Sequence, residues 1–380
     1  MRSPGLYRFA LRCLPHRRVR LRALVQSISR EKAERMEAIL NRHSALGGAL
    51  VFFDQDGIRD HFVYGDARRG VPLDGRTAFR LASVSKLVTA AGVMGMADQG
   101  AVSLDADADI GLPYSLRHPD APAAPVTLRM LLTHTAGIHD GAAYLKALTD
   151  GAAASELLAG DSHTRHAPGE GCEYSNFGVG LAACVVEAQT GLSFESAMQQ
   201  YLFQPLDMAA SYYPGRLNAF LADARRVLPP QIRPGFNAAA RQARQAAGWD
   251  IPNAQQHWNL AHGNCCLDAR SAVNLGMALL KKHFFRAESI DIMMRADAQL
   301  GARDPNLGQG VGMFILNDRD ISPYPLYGHQ GMAYGAVNML FLDIEKKRGI
   351  LSLTTGASEA RQYIMADINR ALLKEWQRDE

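Results

Sequence analysis

Apolar and polar positions along the chain follow two periods, one typical of helices and one typical of strands. From Glu31 to Arg42 the apolar residues fall on one helix face, which predicts an amphipathic helix. Gly47–Phe53 and His61–Tyr64 are short runs rich in β-branched and aromatic residues, and we expect two strands there. A helical pattern then extends from Ser83 to Gln99 and ends at Gly100, a typical C-terminal cap.

The middle of the chain is richer in helical patterns, and strand patterns return towards its end. Helices are predicted at Thr127–Leu132 and Gly178–Gln189, from Asp268 to about Lys282, and from about Ser358 to Trp376. Strands are predicted at Gly312–Leu316, Tyr327–Gly331, Gly335–Leu342 and Gly349–Thr354. A helical region therefore separates two groups of strands.

Strands near both chain ends with helices between them predict an α/β fold of the α+β type. We expect a mostly antiparallel sheet built from both ends of the chain and flanked by helices, with a mostly helical subdomain inserted. The sheet part would comprise residues about 31–100 and 262–380, and the helical part residues about 101–261. Residues 1–30 would precede this domain of residues 31–380 as a separate arm.

Composition places the chain among ordinary globular proteins and adds one local feature. Of its 380 residues 47% are hydrophobic and 21% are charged, and a formal net charge of +3 gives no reason to expect a nucleic-acid partner. Residues 1–30 are rich in arginine and contain no Asp or Glu. This basic arm is either a helix that lies on an anionic membrane surface or a solvated tail, and it also resembles an organelle transit peptide.

Neither a signal peptide nor a membrane span is predicted. Arginines interrupt every apolar run of the arm before it reaches the roughly 7–15 residues that a signal peptide needs. The cysteines are odd in number, and their spacing indicates neither a disulfide framework nor a zinc site. We therefore expect a cytoplasmic protein with reduced thiols and no cofactor, and peripheral membrane contact through the arm stays open. The cysteines are Cys13, Cys172, Cys184, Cys265 and Cys266.

The first candidate for chemistry is the S-x-x-K sequence from Ser83 to Lys86, at the start of a predicted helix. Positions i and i+3 share a helix face, so the Lys86 side chain can reach the Ser83 hydroxyl. A serine becomes nucleophilic when a base takes its proton, and a lysine can be that base once burial or nearby cations lower its pKa. The same pattern at Ser29–Lys32 is more typical of a helix cap, whereas Ser83 leads into an apolar helix.

A second candidate is the sequence from Tyr174 to Asn176, which follows a Pro-Gly turn and precedes a predicted helix. A tyrosine near cations can become phenolate-like and relay a proton between the nucleophile and the leaving group. Asn176 can hydrogen-bond both a lysine and a substrate amide. The alternative is that Tyr174 is a half-buried aromatic residue and Asn176 a helix cap.

A third candidate is the H-x-G sequence from His329 to Gly331, on a glycine-rich predicted strand. Glycines on a strand indicate close approach of the backbone to another segment or to a ligand. The backbone N–H of Met332, together with that of Ser83, would then form an oxyanion hole. A structural histidine in a glycine-rich strand is the alternative.

The order of these three motifs resembles that of the class C β-lactamase-related serine hydrolases, over about residues 45 to 375. This penicillin-binding-protein-like family includes class C β-lactamases, D-Ala-D-Ala carboxypeptidases, D-amino-acid amidases, and esterases or acyltransferases. Val126–Ile138 is similar to the family's V-T-[IL]-R-x-L-L-[TS]-H-T-[SA]-G-[IL] segment, and Phe203–Met208 to its P-L-G-M segment. A competing K-x-G at Lys347–Gly349 falls in a predicted hairpin turn, and we reject it.

The resemblance implies a β-lactamase/transpeptidase-like fold and an acyl-enzyme reaction on a small ester or amide. The implied catalytic residues are Ser83 as nucleophile, Lys86 as its base and Tyr174 as proton shuttle. The implied substrate-binding residues are Asn176, His329, Gly331 and Met332, with His329 in the place of the lysine of the family's K-T-G.

This histidine is the main departure from the family pattern. Its ordinary pKa of about 6.5 leaves it mostly neutral at neutral pH, where the family has a charged lysine that helps to hold a substrate carboxylate. We therefore expect weak recognition of β-lactams and of peptides that end in a carboxylate. Two alternatives stay open: a D-Ala-D-Ala-type peptidase or acyltransferase, and a non-catalytic binding protein of the same fold.

Overall fold

The computed structural model describes residues 18–378 apart from positions 69, 218, 220, 223–249, 282, 301–303, 334 and 362. Residues 1–17, most of the basic arm, lie outside the described residues, so membrane contact through the arm stays a prediction. Within the described residues no single helix is long and apolar enough to cross a membrane. The segments Asn176–Thr190 and Phe194–Phe203 reach that threshold only as a pair, which is bent by 83°.

The described strands form two antiparallel sheets. They are β1 Arg22–Val25, β2 Gly47–Asp54, β3 Gly57–Arg68, β4 Val71–Pro72, β5 Ala78–Arg80, β6 Ala210–Ser211, β7 Cys266–Asp268, β8 Ala298–Gln299, β9 Leu307–Gln309, β10 Phe314–Leu316, β11 Leu326–Ala333, β12 Ala336–Asp343 and β13 Arg348–Gly356. The large sheet has the order β1-β3-β2-β13-β12-β11-β10-β9-β8, with β4 paired to β3, and the small sheet has the order β5-β7-β6. Strands from both ends of the chain meet where β2 pairs with β13.

Ten α-helices lie within the described residues. They are α1 Arg30–Arg42, α2 Val84–Asp98, α3 Leu128–Thr133, α4 Ala142–Asp150, α5 Ala154–Leu158, α6 Asn176–Thr190, α7 Phe194–Met198, α8 Ala269–Lys281, α9 Ala287–Met294 and α10 Asp367–Gln377. Because side chains alternate along a strand, Leu50 and Phe52 of β2 pack towards α1 and α10, while Val51 and Phe53 pack towards α2 and α8.

The predicted fold class, with an antiparallel sheet from both chain ends and flanking helices, is confirmed. The division of the chain into a sheet part and a helical part at residues 101 and 262 stays a prediction. Within the predicted arm of residues 1–30, Arg22–Val25 form β1 and pair with β3, so this part of the arm belongs to the large sheet.

The predicted closing helix from Ser358 to Trp376 is wrong in its first half, because α10 begins only at Asp367. The backbone of residues 364–366 bonds to a side chain of β11 instead of following a helical course. Gln330 Nε2 donates to Ile364 O at 2.5 Å, and Gln330 Oε1 accepts from Ala366 N at 2.9 Å. The segment between β13 and α10 is thereby attached to β11.

Candidate active site

Ser83 lies at the N-terminus of the buried helix α2, directly after a strained turn. Ala82 has a φ of +51°, in the left-handed region that residues with a Cβ rarely adopt. Helix α2 begins at Val84, and Ser83 occupies its N-cap position. The turn from β5 into α2 therefore presents a partly exposed Ser83 hydroxyl at the end of a helix that is itself buried.

The Lys86 amine lies one helical turn further on and is 1% exposed. Lys86 Nζ donates to Asn176 Oδ1 at 2.7 Å and to the backbone O of His262 at 2.8 Å, and it lies 3.1 Å from Ser83 Oγ. A neutral amine has two hydrogens and one lone pair. Since the two acceptors use both hydrogens, the lone pair remains for the Ser83 hydroxyl.

The charge state of Lys86 agrees with this geometry. Burial lowers its pKa to about 7, and the negative charge of Asp140 raises it by a smaller effect. Burial penalises the ammonium, and among the described residues no carboxylate contacts Nζ directly to repay this desolvation. Lys86 can therefore be a neutral base at neutral pH.

Asp140 fixes the orientation of Asn176. Its Oδ2 accepts from Asn176 Nδ2 at 2.7 Å, so the amide oxygen of Asn176 must face Lys86. Its Oδ1 accepts from Phe177 N at 2.9 Å and Ser175 Oγ at 3.1 Å, at the N-terminus of α6, where a helix favours negative charge. Asp140 therefore determines which hydrogen-bonding group Lys86 meets.

Tyr174 is the second functional side chain beside the Ser83 hydroxyl. The Ser83 side chain is the hydrogen-bonding neighbour that lowers the pKa of the phenol, and Lys86 Nζ lies 5.0 Å from the centre of the Tyr174 ring. Burial raises the pKa of Tyr174, and the bond to Ser83 offsets only part of this effect. The low-dielectric surroundings therefore favour the neutral phenol in the resting site over the phenolate-like form that the sequence left possible.

Strand β11 passes directly beside the Ser83 turn. A Cβ at Gly331 would lie 2.2 Å from Leu81 O and 2.8 Å from Ser83 N, so only glycine fits this close approach. β11 pairs with β10 only over Leu326–Gly328 and with β12 along its other edge. The edge of β11 at Met332 is thus unpaired among the described strands and faces the site.

His329 is 1% exposed and stacks on Phe314, with ring centres 4.0 Å apart. Its Nδ1 lies 2.5 Å from Gln330 O, and its Nε2 has no hydrogen-bond partner among the described residues. Burial, with a smaller effect from Lys86, lowers the pKa of His329 to about 3. The position therefore carries a neutral ring instead of a cation.

These residues line a cavity of about 500 Å³. One wall comes from the segment between β13 and α10, which β11 holds through Gln330. The lining residues are Ser83, Tyr174, Asn176, Phe314, His329, Gln330, Met332, Arg361, Tyr363 and Ile364. The volume is in the usual range for small-molecule sites, about 300–1,000 Å³.

Comparison with known families agrees with this geometry. The family described as Beta-lactamase matches residues 30–375, which are nearly the whole chain. The chain belongs to the Beta-lactamase family. The predicted resemblance is thereby confirmed.

Individual relatives of this family member match smaller parts of it. "Penicillin-binding protein 4*" of Bacillus subtilis is 28% identical over 180 residues, which is 45% of this chain and 39% of the relative. "Esterase EstB" of Burkholderia gladioli is 30% identical over 197 residues, which is 46% of this chain and 50% of the relative. The matched region thus spans half or less of the length of these relatives.

A solved structure titled "EstCE1, a hydrolase with promiscuous acyltransferase activity" has the same fold. It superposes with a TM-score of 0.73 at 20% identity, over 90% of this chain and 98% of that one. At this identity the likeness shows the fold alone.

The structure brings all seven residues proposed from the sequence to one site. Ser83, Tyr174, Asn176, His329 and Met332 line the cavity, Lys86 lies beneath Ser83, and Gly331 packs against the Ser83 turn. Sequence analysis missed Asp140 and Gln330. No motif marks Asp140, and Gln330 was only the variable position of H-x-G.

Proposed function

We propose that this member of the Beta-lactamase family is a serine hydrolase that cleaves small esters or amides through an acyl-enzyme on Ser83. The observation that carries the proposal is the hydrogen-bond arrangement of Lys86. Lys86 Nζ lies within hydrogen-bond distance of two acceptors and of a serine hydroxyl that opens into the cavity, so a neutral amine gives both hydrogens to the acceptors and turns its lone pair to the hydroxyl. This is the arrangement that a nucleophile and its base require.

The reaction follows from the neighbours of Ser83. As Ser83 Oγ attacks the carbonyl carbon, its proton passes to neutral Lys86, and the negative charge moves to the carbonyl oxygen. The backbone N–H groups of Ser83 and Met332 would stabilise that oxyanion. The neutral phenol of Tyr174 then donates its proton to the leaving group and regains one from Lys86. The acyl group passes from Ser83 to water, or to another hydroxyl in acyl transfer.

The residues that line the cavity indicate which substrates fit it. Among the described residues the lining side chains include aromatic and apolar groups and one guanidinium, that of Arg361, but no carboxylate. The neutral ring of His329 removes the charge that the family's lysine offers to a substrate carboxylate. At position 329 an uncharged group therefore fits better than the carboxylate of a β-lactam or of a peptide.

Covalent labelling tests the proposal directly. A fluorophosphonate should add one adduct to the protein, and peptide mapping should assign it to Ser83. A panel of short-chain esters, amides, a β-lactam and a D-Ala-D-Ala peptide then ranks the substrates. Absence of an adduct after long incubation would instead favour a binding protein of the same fold.

The rate should depend on pH through Lys86. The active form is the neutral amine, so kcat/KM should rise with pH, level off above a pKa of about 7, and fall by about a hundredfold at pH 5. His329 does not contribute to this limb, since its pKa of about 3 leaves it neutral throughout. A pH–rate profile measured with an uncharged ester checks this. A rate that falls between pH 6 and 8 would contradict it.

Asp140→Asn should move this profile in a defined direction. The negative charge of Asp140 raises the pKa of Lys86, so removing this charge should shift the acid limb to lower pH. The plateau should also fall, by roughly tenfold to a hundredfold, because the new amide has one acceptor oxygen for the three donors that both carboxylate oxygens now serve, and Asn176 is no longer held in one orientation.

Asp161→Asn is the matched control. Asp161 also accepts from a helix N-terminus, at Ala142 N, but it contacts neither Asn176 nor Lys86 in the described structure. Its profile should coincide with that of the wild type. An acid limb that stays in place in Asp140→Asn would contradict the assignment of this limb to Lys86.

A further inference from the structure

His134 ends helix α3 and lies directly behind Tyr174. It is 3% exposed and has a φ of +61°, at the C-cap position of the helix. Glycine is the usual residue at such a left-handed cap. An imidazole there adds hydrogen-bonding atoms that capping does not require, so its contacts identify what else it does.

Those contacts enclose Tyr174 from both sides along the chain. The backbone O of His134 accepts from Glu173 N at 2.9 Å, and its Nδ1 accepts from Ser175 N at 3.1 Å. Between these two bonds the imidazole packs against the Tyr174 ring, with ring centres 4.4 Å apart and planes inclined by 37°. One residue therefore holds the backbone before Tyr174, the backbone after it, and its ring.

The other aromatic rings near Tyr174 among the described residues are more distant. The ring centres of Phe314 and His329 lie 6.2 and 6.5 Å away. The phenol bonds to Ser83, a group that must itself move during the reaction. The position of the Tyr174 hydroxyl therefore depends chiefly on what fixes its ring and its backbone.

The bond from Ser175 N also determines the protonation of His134. An Nδ1 that accepts carries no hydrogen, so the ring is neutral with its proton on Nε2. Burial lowers the pKa of His134 well below its ordinary value, and the neighbouring titratable groups of Lys86 and His329 lower it further. A neutral ring adds no positive charge beside the amine of Lys86.

We propose that His134 is a positioning residue that holds the phenol of Tyr174 against Ser83 and Lys86 for proton transfer. This inference rests on the proposed hydrolase function. It gives a role to the histidine of the segment Val126–Ile138, which the reaction itself does not use.

Two substitutions separate the contacts of His134 without straining its backbone. His134→Gly removes the ring and the Nδ1 acceptor, and glycine adopts a positive φ readily. His134→Asn keeps an acceptor, Oδ1, near the position of Nδ1, and asparagine also tolerates this conformation. We expect kcat to fall by about 10- to 100-fold in His134→Gly and by less in His134→Asn. KM should change little, because Tyr174 acts on proton transfer and not on substrate binding.

His118→Asn is the matched control. His118 is also 3% exposed and also bonds to the loop that leads to Tyr174, through Nε2 and Thr164 O at 2.7 Å, but it does not touch Tyr174. This variant should keep the wild-type kcat per folded molecule, measured after melting curves have established the folded fraction.

A double-mutant cycle with Tyr174→Phe decides the question. If His134 acts through Tyr174, His134→Gly should change kcat by less than about twofold in the Tyr174→Phe background. An equal loss in both backgrounds, or an unchanged kcat in His134→Gly, would overturn the proposal. The hydrolase function fails on a different result, namely wild-type turnover that survives Ser83→Ala.

Discussion

Ser83→Ala should lower kcat/KM for the best ester by on the order of 10³- to 10⁶-fold. The alanine variant has no atom that can form the acyl bond, so the first step of the reaction is lost. Lys86 and the backbone N–H groups remain in place, and substrate should still bind. The loss should therefore appear in kcat, with KM changed by only a few-fold, and fluorophosphonate labelling should disappear.

Ser29→Ala is a matched control for this prediction, because Ser29 belongs to the second S-x-x-K sequence of the chain. In the structure Ser29 Oγ accepts from Lys32 N at 3.1 Å and caps helix α1. Ser29→Ala should leave turnover and labelling unchanged and lower the melting temperature slightly, since a lost N-cap costs about 1 kcal/mol. Turnover that survives in Ser83→Ala would remove the proposed nucleophile.

The parts of the site that are close in sequence were predictable for a physical reason. Helical spacing alone brings Lys86 to Ser83, and an apolar helix after Ser83 predicts that the pair is buried. Tyr174 and Gly331 are distant along the chain, and only the resemblance to a known family placed them beside Ser83. The sequence motifs thus identified the candidate residues, and the resemblance predicted that the distant ones meet at Ser83.

What the sequence did not predict are the residues that orient these groups. Asp140 is one of many carboxylates in the sequence. Its role depends on the tertiary packing that places it at the N-terminus of α6 and beside Asn176. Gln330 similarly holds a cavity wall through the backbone of residues 364–366, where periodicity predicts a helix. Such contacts are set by tertiary structure, which overrides local helix preference.

Lys86→Met should reduce kcat/KM by at least about 10³-fold and slow the fluorophosphonate reaction to a similar extent. Methionine is unbranched and fits the space of the lysine stem, but it cannot accept the proton of Ser83. It also leaves Asn176 Oδ1 and His262 O without the donor that they share in the wild type. The acid limb near pH 7 should vanish together with the activity, because the group that titrates is gone.

A nucleophile and its base act as one unit, so a double variant also tests the role of Lys86. Once Ser83 is absent there is no proton for Lys86 to take, so the double variant Ser83→Ala/Lys86→Met should be no slower than Ser83→Ala alone. Lys32→Met, in the second S-x-x-K sequence, should retain wild-type turnover. If Lys86→Met kept most of its activity, or if the two losses multiplied, Lys86 would be acting independently of Ser83. A lysine that acts independently of the nucleophile cannot be its base, and the lone pair that faces the Ser83 hydroxyl would then have no part in the reaction.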